Sequence, residues 1–112
     1  MVSSVATLRA GNAGVAAMGR LAIELLADVM RALVDSDVDL ARRTAQRDDE
    51  MDVMYHRAMK QLAALSKEDA GNVDRANLLQ LAAHYLERVG DRVTNIAEDV
   101  VFLSTGLRED LN

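Results

Sequence analysis

Glu87, Asp91, Thr94 and Glu98 would fall within roughly 60° of arc on a helix that turns about 100° per residue. Gln80 and His84 extend the same stripe toward the N-terminus. Carboxylates stacked along one helix face repel each other unless a cation or water separates them. Oxygen ligands of this kind suit magnesium, calcium, manganese or iron, and spacing alone does not choose among them. The other reading is a plain solvated face. Asp49, Asp52 and His56 would lie within about 60° of each other on a second helix, facing away from Met51, Ala58 and Leu62. Paired carboxylates can also do acid–base work, but an open helix face lacks the pocket that would tune them. The chain has no Gly-rich phosphate loop, no Ser nucleophile beside a histidine and no His-Glu-x-x-His. A ferritin-like di-iron site needs Glu-x-x-His on inward-facing helices, and none is present.

Three helical segments must position these side chains. The first is expected over residues 14–35, from Val15, Met18, Ala22, Leu25, Leu26, Val29 and Leu33. Residues 1–13 are weakly patterned, and Gly11-Asn12-Ala13-Gly14 is expected to interrupt any helix there. Asp35-Ser36-Asp37 is a break, with Ser36 or Asp37 as the next N-cap. The second helix is expected over 38–65, with Leu40, Met51, Met54, Tyr55, Ala58, Leu62 and Leu65 turned inward. A polar loop over 66–72 follows. The third helix is expected over 73–104, capped by Asn72 and ended by Gly106. Leu78, Leu79, Ala82, Leu86, Val89, Val93, Ile96, Val100 and Leu103 form its buried stripe, centred about 200° from the acids. The acids would therefore point away from the core. The fold class is an all-α, antiparallel three-helix bundle over 14–106, with an N-terminal segment at 1–13 and a tail at 107–112.

Composition narrows the function. The chain has 112 residues, no cysteine, no proline and six glycines, so it is one domain without disulfides or thiolate metal sites. A net charge of −5 and three aromatics argue against nucleic-acid binding. No apolar stretch approaches the roughly 18 residues of a membrane span, and Met1-Val2-Ser3-Ser4 does not open a signal peptide. A cytoplasmic protein is the default. The methionines Met18, Met30, Met51, Met54 and Met59 are expected to fill the core.

Leu86-Glu87-Arg88-Val89-Gly90-Asp91-Arg92-Val93-Thr94-Asn95-Ile96-Ala97-Glu98 resembles the signature helix of PhoU-type phosphate-signalling proteins. Asp49-Glu50-Met51-Asp52-Val53-Met54-Tyr55 resembles their second-helix segment, and Val101-Phe102-Leu103-Ser104-Thr105-Gly106 their last turn. The resemblance covers residues 15–112. It implies half of the usual two-bundle protein, so a homodimer would rebuild the tandem arrangement. It also implies a non-enzymatic regulator of phosphate uptake and of the phosphate-starvation response. The implied partners are a phosphate ABC transporter ATPase and a sensor histidine kinase, with the membrane reached through partners only. The metal motif carries over to Glu87 and Asp91, extended by Asn95 and Glu98, with Asp49 and Asp52 as the helix-two acids. His84 and His56 are flanking candidates. The ion would be divalent or trivalent: iron, zinc, manganese or magnesium. Arg92 stands where a histidine often follows the motif Asp, which puts a cation beside the site. Two other readings are a carboxylate-bridged metalloenzyme assembled in a dimer and a metal-free dimerisation module.

Overall fold

The computed structural model describes residues 4–112. It contains α1 (Ser4–Asp35), α2 (Val38–Gln46), α3 (Asp48–Glu68), a 3₁₀ turn (Ala70–Asn72) and α4 (Val73–Thr105). There is no strand among the described residues. With α2 and α3 sharing the middle arm, the helices pack as a three-helix bundle of 54 × 19 × 18 Å.

The core follows a three–four alternation in every arm, the pattern that keeps one seam of a helix facing its neighbours. In α1 the alternation takes in Val15, Met18, Ala22, Leu25, Val29 and Ala32, with Leu21 buried beside it. In the middle arm it takes in Ala41, Thr44, Asp48, Met51, Ala58, Leu62 and Leu65, with half-buried Tyr55 filling the register and Ala45 buried beside it. In α4, Ala76, Ala83, Gly90 and Ala97 recur every seventh residue, interleaved with Leu79, Leu86, Val93 and Val100. Small residues at one position of each α4 heptad let the neighbouring helices approach closely. Burial of each large side chain, such as Leu25, Leu62 or Leu65, contributes about 1.5–3 kcal/mol.

The ends are made locally. Asp37 caps α2 by accepting from the Leu40 amide at 3.0 Å. Ser36, at φ 52°, occupies the left-handed turn between α1 and α2, and the Asp37 amide closes it on the Ala32 carbonyl at 2.9 Å. Gly106, at φ 76°, ends α4 and donates to the Phe102 carbonyl at 2.8 Å. Asn72 precedes α4 without a side-chain cap; its amide donates instead to the Leu65 carbonyl at 3.4 Å.

Four expectations are corrected. The first helix does not begin at 14, because α1 runs unbroken through Gly11 and Gly14 from Ser4; residues 1–3 lie outside the described residues. Gly11 is buried, and a Cβ there would come within 2.8 Å of Leu62 Cδ2, so tertiary packing outweighs the helix cost of glycine. The second helix is interrupted at Arg47, whose amide is shared between the Thr44 and Arg43 carbonyls at 3.1 and 3.3 Å. Thr44 also bonds back to the Leu40 carbonyl at 2.7 Å, a contact that bends helices. The stripes are rotated from those expected: Leu78 and Leu103 are 69% and 73% exposed, and Leu26, Met30 and Leu33 also face outward. Finally, the acidic side of α4 is not wholly turned from the core, since Thr94 is buried and Glu87 and Glu98 are half-buried.

Candidate functional site

The site centres on a residue outside the two expected acidic stripes. Asp48 opens α3 and occupies a core position of the middle arm, only 5% exposed. It has room because Gly90 stands opposite on α4. A Cβ at residue 90 would overlap Asp48 Oδ1 and lie 3.3 Å from Met51 Cγ. The sequence did carry a signal for Asp48. Counting back from Met51 by three and then four lands on Asp48 and Thr44.

This burial is electrostatically costly. Loss of water pushes the Asp48 carboxyl up to about 6, and the charges of Asp52, Asp91 and Asp49 push the same way. The nearby Thr94 hydroxyl favours the ionised form, yet neither Asp48 Oδ1 nor Thr94 Oγ1 has a hydrogen-bond partner. Buried polar atoms are rarely left so. The guanidinium next to Asp48 in the chain is turned elsewhere. Arg47 directs its guanidinium to Glu24 at 2.9 Å, Asp28 at 3.6 Å and Glu50 at 3.3 Å.

The predicted site residues separate into groups. Asp52 on α3 and Asp91 on α4 both act on Asp48, so the two acidic stripes converge there. Asp49 adds a smaller effect, and Glu87 lies one turn before Asp91, half-buried. Glu98 is engaged elsewhere, accepting the Leu111 amide at 2.9 Å. With Asn95 it lines an open pocket of about 450 Å³ bounded by Asp99, Arg108, Glu109 and Asp110. The tail is held there by Arg42 to Glu109 at 2.7 Å and by Asn112 to the Ala45 carbonyl at 2.8 Å. His56 and His84 are exposed, each with its ring beside the adjacent tyrosine.

Oxygen donors of this kind suit a hard cation. Even so, no group of three acids or histidines among the described residues is arranged to hold a metal ion. The metalloenzyme arrangement would need several inward carboxylates and histidines, and among the described residues Asp48 is the one buried acid. No described helix is long and apolar enough to cross a membrane.

The chain matches a known family model, the PhoU domain, over residues 15–100. The chain belongs to the PhoU domain family. It is similar to a phosphate-specific transport system accessory protein PhoU homolog of Clostridium acetobutylicum, 35% identical over 85% of this chain and 43% of the relative. A protein of the same description from Deinococcus radiodurans is 37% identical over 77% of this chain and 40% of its own length. Another from Zymomonas mobilis is 36% identical over 80% and 38%. The chain thus spans about two fifths of the length of these curated relatives. No solved structure matches it.

Proposed function

We propose that the chain is a contact module of a phosphate-specific transport system that regulates uptake and starvation signalling without catalysing a reaction. Its partners on this reading are the transporter ATPase and a sensor histidine kinase, and it assembles as a homodimer. The relatives' description as accessory proteins of phosphate-specific transport supports the system. The acidic seam supports the mechanism: a cation there would neutralise Asp48, Asp52 and Asp91 and so couple metal occupancy to the α3–α4 surface. Glu87 and Asp49 flank that set, while Glu98 and Asn95 belong to the tail pocket. The observation that carries this reading is the partnerless oxygen of Asp48, buried opposite Gly90 among other carboxylates.

The test is calorimetric titration of chelator-treated protein with manganese, magnesium, zinc and ferrous iron. It is paired with phosphate-dependent reporter expression in cells. Asp48→Asn and the Glu87→Ala/Asp91→Ala variant should each lose cation binding and phosphate-dependent repression. Intact regulation in both variants would leave the acids as a solvated face and sink the mechanism.

A further inference from the structure

The α1–α4 side of the bundle carries a different surface. Two open pockets of about 480 and 270 Å³ share Leu26 and Val89, so they form one groove between the two helices. Gly19, Ile23, Leu26, Leu86, Val89 and Ile96 give it an apolar lining. Ile23 is 71% exposed and Tyr85, at its edge, 55%. Arg20, Arg88 and Arg92 also line it, and no acid does. Of the arginines outside the groove, Arg31, Arg42, Arg43, Arg47 and Arg108 hold carboxylates, while Arg57 and Arg75 hold none among the described residues. Among the described residues, Arg20, Arg88 and Arg92 hold none.

We propose that this groove docks an amphipathic helix of a partner protein, one with acidic residues flanking its apolar stripe. A groove running between two adjacent helices takes a helix along its length, and the added helix completes a four-helix bundle. The apolar stripe of the incoming helix covers Ile23, Leu26 and Val89. Its acids meet guanidinium groups whose fork geometry suits carboxylates. The charge also decides against a second copy laid face to face, which would set the same three arginines against themselves. The homodimer proposed above would therefore use another face. The groove deepens the contact role already proposed, and its test needs neither metal nor phosphate, so either reading can fail alone.

The probe is a dye-labelled synthetic peptide of roughly 18 residues, long enough to form a helix on binding. It carries leucines at helical three–four spacing with glutamates on both flanks; a control carries lysines instead. Fluorescence anisotropy with the full chain should show the glutamate peptide binding at least about 10-fold more tightly than the lysine peptide, a preference that salt weakens. Arg88→Glu/Arg92→Glu should invert the preference. Ile23→Asp should abolish binding while leaving the thermal melt intact, because that side chain is already exposed. Equal affinity for both peptides, or no binding of either, would overturn the proposal. So would light scattering that shows a dimer dissociated by Ile23→Asp, because the groove would then be occupied by a second copy.

Discussion

Asp48 and Gly90 form a matched pair across the α3–α4 seam: the carboxylate lies where a side chain on residue 90 would have to be. Both stand on the core register of their helices, and both are poor choices for it by ordinary rules. A glycine inside a helix costs about 1 kcal/mol relative to alanine. A buried carboxylate without a partner is costlier still. Each makes sense only with the other, and together they place a charge-bearing oxygen inside an otherwise apolar seam.

Gly90→Ala should therefore destabilise the protein, despite alanine's better helix propensity. The expected loss is about 1–3 kcal/mol, the usual penalty for overpacking a core. In an Asp48→Ala background the overlap with the carboxylate is gone, and the same substitution should become neutral or stabilising by up to about 1 kcal/mol. Urea denaturation of the four proteins in the cycle checks this. A gain in stability from Gly90→Ala alone would show that the notch does not exist in solution.

The raised pKa of Asp48 gives a signed pH dependence. In the folded state its carboxyl titrates at about 6 against an ordinary value of 3.8, so the native protein binds the proton more tightly. Its contribution to stability is full below the ordinary value and is lost as pH rises through about 6. Integrated over that window the loss is at most on the order of 3 kcal/mol by the usual linkage conversion, and solvent screening reduces it. Asp48→Asn should remove this component and, in chelator at neutral pH, be more stable than the parent. Thermal melts between pH 4 and 8 should converge at the acid end and separate toward neutrality. Parallel curves across the range would show that Asp48 is solvated.

Arg47 ties the interruption of the middle arm to α1 through Glu24 and Asp28. These side chains are partly exposed, so each pair is worth only tenths of a kcal/mol to about 1 kcal/mol. Arg47→Ala should cost about 1 kcal/mol, and a double-mutant cycle with Glu24→Ala should recover a coupling below that value. Raising salt to 1 M should shrink the coupling, since the network is open to solvent. A coupling that salt leaves unchanged would place the pair in a drier environment than its exposure indicates.

Much of the architecture was legible along the chain because helical periodicity is a local property. The absence of proline, the Asp37 cap and the Gly106 stop all act within a few residues, and the structure bears them out. The family signature was also legible, because Glu87 through Glu98 is a contiguous run. Local rules failed where distant contacts outweighed propensity. Gly11 and Gly14 read as a helix break, but Gly11 is buried against Leu62, and the helix continues. Leu78 and Leu103 read as core from hydrophobicity, yet the smaller Ala76, Ala83, Gly90 and Ala97 are the residues that go inside, because close helix approach selects for volume. The core register reaches Asp48, but its residue type argues against burial. An acid beside Asp49 looks like one more surface charge until α4 brings a residue without a side chain opposite it. The sequence by itself determined the three helical arms, though not the start of α1 or the interruption at Arg47, and the family they belong to, since caps, stops and periodicity act through neighbours in the chain. Only the tertiary structure decided which acid is buried, which carboxylates share its field and which face is left as an apolar, basic-edged groove. Burial and charge coupling depend on residues that the chain holds far apart.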